Sequence, residues 1–114
     1  MNEALGIIEI QGLASAVAVT DVMVKTAAVH LADIEPARGG GWMTIKITGN
    51  VAAVNASISA GTQAGTLHGS YISSKVIPRP APEVSKLFCK VPVPEKKKSS
   101  KSKQVPADAK VGEA

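Results

Sequence analysis

Residues 29–49, VHLADIEPARGGGWMTIKITG, decide the fold because they predict a β-hairpin in the middle of the chain. Residues 29–35 have an extended pattern that Pro36 ends, and residues 42–48 have the β-branched composition of a strand. The glycine-rich residues 37–41 are predicted to form the connecting loop. The other elements are placed on either side of this hairpin.

One helix and one strand are predicted on each side. Upstream, residues 4–10 form a strand, and apolar side chains recur near helical spacing through residues 13–28. Downstream, Asn50 is placed to cap a small-residue helix that begins at Val51, and residues 71–77 form the fourth strand. The order β-α-β-β-α-β predicts a ferredoxin-like α+β fold, with two main helices on one face of a four-stranded antiparallel sheet.

The chain is predicted to contain one domain and a tail. A short C-terminal helix at residues 82–88 completes a domain over residues 1–89. Gly65 and Gly69 cost helix stability in isolation, so they indicate a close approach to another element. Residues 90–114 contain seven lysines, together with several prolines and serines, and show no apolar periodicity. They are expected to be a disordered tail.

Charge and composition limit the classes of function. Residues 1–89 carry six basic and six acidic groups, so the net charge of +4 lies in the tail and the domain has no predicted nucleic-acid-binding face. The single cysteine, Cys89, permits no internal disulfide and favours a reducing cytoplasm. We expect no export signal and no membrane-spanning segment, since neither pattern is recognised.

Few residues are candidates for catalytic or metal chemistry. His30 and His68 lack metal-ligand spacing to each other and to Cys89, and they are interpreted as structural or surface residues. Gly39-Gly40-Gly41 lacks the following Lys-Ser/Thr and the helix start of a phosphate loop. We therefore predict no catalytic residue, no metal site and no cofactor, and the chain is not expected to be an enzyme.

Five blocks of sequence, spread over residues 2–88, carry a resemblance to a known family. They contain Glu3-Ala4-Leu5-Gly6, Ile8-Glu9, Gly12-Leu13, Asp21, Met23, Lys25, Val29, Leu31, Glu35, Gly49, Val51-Ala52-Ala53-Val54, Ala56, Ala60-Gly61 and Val76-Ile77-Pro78-Arg79-Pro80. In order and spacing the chain resembles the single-domain, hexamer-forming shell proteins of bacterial microcompartments, the family that also builds carboxysome shells.

The resemblance implies that six copies close into a flat hexagonal disc and that discs meet edge to edge in a shell facet. In this family a lysine on the first helix lies along the disc edge, and an arginine after the fourth strand inserts into the neighbouring disc. Lys25 and Arg79 stand at those positions. An arginine suits this role because its planar guanidinium can donate several hydrogen bonds to carbonyls across a two-fold contact. The alternative is that Lys25 pairs with Asp21 and that Arg79 is a solvated turn residue.

The resemblance also implies a central pore lined by the loop of Arg38, Gly39, Gly40 and Gly41. This loop departs from the family's usual Lys-Ile-Gly-Ser-Gly pattern. Two interpretations of Arg38 stay open. In the first, the Arg38 side chains of six copies form a cationic ring that favours anions. In the second, Arg38 faces solvent or pairs with Glu35, and the pore is lined by neutral glycines. Trp42 either rims the pore or packs under the loop, and packing is favoured.

The predicted function is that of a structural shell subunit of a bacterial microcompartment in the cytoplasm, a homohexamer whose pore passes small polar metabolites. Its expected partners are other shell proteins and, through the lysine-rich tail, encapsulated enzymes. A membrane partner is not expected, and nucleic acid is not favoured. Two alternatives remain: a small-molecule-sensing regulatory oligomer on the same fold, or a nucleic-acid-binding protein that acts through its tail.

Overall fold

A computed structural model describes residues 3–37 and 39–88 of the chain. Its elements are β1 (Ala4–Gln11), α1 (Leu13–Thr26), β2 (His30–Pro36), β3 (Trp42–Gly49), α2 (Val51–Leu67), β4 (Tyr71–Ile77) and α3 (Pro82–Phe88). The predicted order of elements, with a short last helix, is confirmed. Arg38, Cys89 and the predicted tail at residues 90–114 lie outside the described residues.

The four strands form one antiparallel sheet in the order β2-β3-β1-β4. After α1 crosses over the sheet, the β2–β3 hairpin folds back so that β3 lies between β1 and β2. This is the split β-α-β arrangement of ferredoxin-like folds, so the predicted α+β fold class is confirmed.

The sheet has two different faces because side chains alternate along each strand. Ile8 pairs with Ile45 across β1 and β3, and both side chains lie in the core with α1 and α2. The core consists of Ala4, Ile8, Ile10, Ala16, Val19, Met23, Ile45, Ile47, Val54 and Ile58. The face away from α1 and α2, which we call the open face, carries the alternate pair Ile7 and Lys46.

Small residues let α2 approach its neighbours closely. A Cβ atom added at Gly65 would lie 2.9 Å from Ile10 Cδ1, which confirms the predicted close approach at this position. Ser57 Oγ donates a hydrogen bond of 2.9 Å to the Met23 carbonyl and so joins α2 to α1. At Gly69 the prediction is wrong, since no atom lies within 4 Å of an added Cβ and the glycine instead adopts a φ of +68° in the turn after α2.

The helix boundaries follow the capping signals. Asn50 Oδ1 accepts a 2.9 Å hydrogen bond from the Ala53 N–H, so the predicted N-cap of α2 is confirmed. Helix α1 ends at Thr26, two residues earlier than predicted, because Ala27 is extended with a φ of −153°.

Strand β2 contains an irregularity that simple alternation did not predict. The register shifts between Leu31 and Asp33, so that Leu31 pairs with Ile47 while Asp33 pairs with Lys46. Strict alternation would place Asp33 on the same face as Leu31. The extra residue instead turns Asp33 to the open face, where Glu35 also lies.

Candidate functional site

The predicted pore loop joins β2 to β3 at one end of the sheet. The Ala37 N–H donates a 2.9 Å hydrogen bond to the Trp42 carbonyl and closes the hairpin below the loop. Gly40 and Gly41 have φ angles of +89° and +80°, which side-chain-bearing residues rarely adopt. Because Arg38 lies outside the described residues, both interpretations of its side chain stay predictions.

The loop is braced by the junction of β1 and α1. The Gly12 N–H donates a 2.7 Å hydrogen bond to the Gly41 carbonyl, and Gln11 Nε2 donates a longer one of 3.4 Å to the Gly40 carbonyl. Two loop carbonyls therefore point toward this junction. The sequence assigned no bracing role to Gln11 or Gly12, which follow the predicted first strand. No local pattern in the sequence indicates this brace, because the pairing that places Gln11 opposite Trp42 is a property of the folded sheet.

Trp42 packs against the loop. A Cβ atom added at Gly40 would lie 3.7 Å from both Cδ1 and Nε1 of the Trp42 indole. The ring is only half-buried, and within the described residues it is not part of the hydrophobic core. Of the two predicted positions for Trp42, these contacts fit packing under the loop.

The two predicted edge residues lie on separate elements. Lys25 Nζ lies 2.9 Å from Asp21 Oδ2, and these side chains are 73% and 56% exposed. An exposed pair of this kind contributes little stability, so it holds Lys25 only weakly. Arg79 is exposed in the bend after β4, and across residues 3–37 and 39–88 it makes no hydrogen bond or ion pair.

Helix α1 also presents apolar side chains to solvent. Leu13, Val17 and Val24 are 61%, 54% and 38% exposed. At 100° per residue they lie within about 40° of one another around the helix, and we call them the α1 stripe. Large apolar side chains exposed together on one surface mark interaction sites, so the α1 stripe is a candidate interface.

Lys46 is the one buried cation in the described part of the chain, and sequence reasoning missed it. It lies on the open face but is only 1% exposed. Its Nζ is 2.6 Å from Glu35 Oε2, 3.5 Å from Asp33 Oδ2 and 2.8 Å from the Phe88 carbonyl oxygen. The only signal in the sequence was a lysine between two strand isoleucines in a hairpin whose other strand carries two carboxylates.

Two further observations concern other site classes. The part of the chain that the structure describes contains no group of three or more His, Cys, Asp or Glu residues placed to hold a metal ion. None of its helices is both long and apolar enough to span a bilayer.

Comparison with known proteins identifies the family. The BMC domain family matches residues 4–80. The chain is 44% identical over 80 residues to the bacterial microcompartment shell protein PduK of Citrobacter freundii, an alignment that covers 70% of this chain and 51% of PduK. It is 41% identical over 86 residues to the bacterial microcompartment shell protein EutM of Salmonella typhimurium, covering 75% of this chain and 88% of EutM. The chain thus spans about half of PduK and most of EutM.

A solved structure supports the same assignment. A microcompartment protein from Desulfitobacterium hafniense DCB matches with a TM-score of 0.66 and 30% sequence identity, covering 74% of this chain and 45% of that chain. These matches confirm the predicted family and the predicted location in a microcompartment shell. Its fold, its sequence and its relatives together show that the chain belongs to the BMC domain family of bacterial microcompartment shell proteins.

Proposed function

We propose that the chain forms homohexamers that tile edge to edge in a microcompartment shell, and that a central pore lined by residues 38–41 passes small polar metabolites. The observation that carries the proposal is the α1 stripe, because a subunit that exposes it gains apolar burial by associating with further copies. Lys25 lies on the same helix, and Arg79 is exposed without a described partner, so both are available for contacts between hexamers.

The small domain has a physical reason to associate. Its core is built from aliphatic side chains and Met23, with no buried aromatic residue in the described cluster. A domain of this size buries a modest share of its surface when it folds alone. Burial of apolar surface contributes about 25 cal/mol per Å², so covering the α1 stripe with a neighbouring subunit would stabilise the fold and the assembly together.

A pair of matched substitutions on α1 tests self-association. Val17→Lys places a charge in the α1 stripe and should shift sedimentation from hexamers to smaller species. Val22→Lys makes the same change about 140° away around the helix and should leave assembly intact. Analytical ultracentrifugation and electron microscopy of the purified protein measure both. Hexamers of undiminished stability in Val17→Lys would refute the role of the stripe.

We further propose that six Arg38 side chains form a cationic ring at the pore. The Gly40 and Gly41 carbonyl oxygens accept hydrogen bonds from the β1–α1 junction. The negative ends of these two carbonyl dipoles therefore point toward that junction. A positively charged guanidinium among glycines would then set the sign of the field in the pore and favour anions.

Flux through reconstituted shells tests the ring. Arg38→Ala should lower the flux of a small anion several-fold, while Arg38→Lys should retain most of it because the charge remains. The flux of a neutral solute of similar size serves as the control and should change little. Equal anion flux in wild type and Arg38→Ala would contradict the ring and support a neutral glycine pore.

The lysine-rich residues 90–114 are proposed to bind acidic surfaces of neighbouring shell proteins or of enclosed enzymes. The support for this is charge: the seven lysines of this segment outnumber its three acidic residues, whereas residues 1–89 are balanced.

A further inference from the structure

Helix α3 is too short to be stable by itself. It comprises the seven residues Pro82–Phe88. Isolated helices shorter than about 12 residues are marginal in water, because the first turn fixes several backbone angles for one hydrogen bond. Its position must therefore be held by contacts with the rest of the domain.

Lys46 supplies such a contact at the C-terminal end of α3. Its Nζ donates a 2.8 Å hydrogen bond to the Phe88 carbonyl, and the same ammonium lies 3.7 Å from the centroid of the Phe88 ring. The last carbonyls of a helix lack partners within the helix, and cations are favoured at this end. A cation over an aromatic ring gains further from the negative face of the ring.

Two carboxylates of the β2–β3 hairpin hold the Lys46 ammonium in this position. Glu35 Oε2 accepts a 2.6 Å hydrogen bond from Lys46, and Asp33 Oδ2 lies 3.5 Å away. Asp33 Oδ2 is buried and makes no hydrogen bond in the described structure, so its compensation comes from the nearby ammonium charge. Burial of an ammonium is costly unless carboxylates balance it, and here two carboxylates from β2 do so.

We propose that Lys46 is an anchor that holds α3 on the open face of the sheet. It thereby fixes the position at which the chain beyond Phe88 leaves the domain. Asp33 and Glu35 act as positioning residues that hold the ammonium. The exit point then lies over β2 and β3, on the face opposite α1 and α2. This inference concerns the single subunit and does not depend on hexamers or tiling.

Hydrogen–deuterium exchange of the full-length protein tests the anchor. Lys46→Met keeps a long unbranched side chain but removes the charge and the donors, and it should speed exchange of the residue 84–88 amides at least tenfold. Lys75→Met is the matched control, because Lys75 lies on the open face opposite Ile7 but is exposed. Its α3 exchange should equal that of wild type. In both variants the β1 amides report whether the sheet is intact.

Two results would overturn the anchor: wild-type exchange at residues 84–88 in a folded Lys46→Met protein, or unprotected α3 amides in the wild type. If Lys46→Met does not fold because two carboxylates are stranded, the triple variant Asp33→Asn, Glu35→Gln, Lys46→Met removes all three charges together and must meet the same criterion.

A second readout uses the single phenylalanine of the chain. Labelling with 4-fluorophenylalanine gives one fluorine resonance, at Phe88. In Lys46→Met this resonance should move toward the position of the denatured protein, and in Lys75→Met it should stay in place. A resonance unmoved by the loss of Lys46 would also refute the anchor.

Discussion

At the scale of single residues, the glycines of the proposed pore loop are not equivalent. Gly41 has a φ of +80° and no atom within 4 Å of an added Cβ, so only its backbone conformation requires glycine. Gly39 has equally open surroundings, but its φ lies outside the positive range. The three glycines therefore look alike in sequence and differ in physical role.

Alanine at these two positions should have different effects on stability. Gly41→Ala should cost about 1 kcal/mol, because a side chain in the left-handed region is strained. Gly39→Ala should be neutral or slightly stabilising, because alanine has less backbone freedom to lose on folding. Urea denaturation measures both free energies of unfolding. Equal losses in the two variants would contradict this assignment.

Two sets of charged contacts differ in whether the sequence could predict them. The Asp21–Lys25 pair, given above as the alternative for Lys25, could be foreseen because an i,i+4 spacing is local and needs only the helix. The contacts of Lys46 were not predicted, because they join residues 11 and 42 positions apart in the chain. No local pattern specifies which strand or helix returns to that position.

At the scale of elements, α2 depends on its N-cap residue, Asn50. Asn50 satisfies the Ala53 N–H at the helix start, and α2 has no acidic residue in its first turn to assist it. The capping asparagine was recognisable in advance because the interaction spans only three residues.

Removing this cap should destabilise the domain. Asn50→Ala should lower the free energy of unfolding by about 1 kcal/mol. Asn55→Ala, at an exposed position inside the same helix, should leave it unchanged or slightly raise it, since alanine favours helix more than asparagine. Chemical denaturation followed by circular dichroism compares the two, and an Asn50→Ala protein as stable as Asn55→Ala would argue against the cap.

Strand β2 shows why one element escaped prediction in detail. Its existence followed from composition, but the shifted register between Leu31 and Asp33 did not. A bulge depends on how two strands fit together, because the extra residue must be accommodated by the partner strand. The shift is what turns Asp33 toward Lys46.

At the scale of the whole molecule, the surfaces named above suit a subunit that tiles. Arg79 follows β4, Lys25 lies in the last turn of α1 and the proposed pore loop joins β2 to β3, so the three proposed functional regions come from different parts of the fold. The core holds these elements in one rigid arrangement, which a flat lattice of identical contacts requires.

Loss of Arg79, the proposed edge arginine, should separate tiling from hexamer formation. Arg79→Ala should abolish extended sheets in electron micrographs while hexamers persist in ultracentrifugation, because the guanidinium is proposed to act only between discs. Lys75→Ala, which removes an exposed charge from β4 itself, should leave sheets intact. Normal sheets in Arg79→Ala would show that Arg79 is a solvated turn residue.

The sequence by itself determined the order of the elements, the fold class, the cap of α2 and the family, because these follow from periodicities of 2 and 3.6 residues and from motifs in register. The tertiary structure alone decided the brace between Gly12 and Gly41 and the burial of Lys46. Each of these joins segments that are distant in the chain. Their meeting depends on strand register and on the packing of the whole domain, which no local pattern encodes.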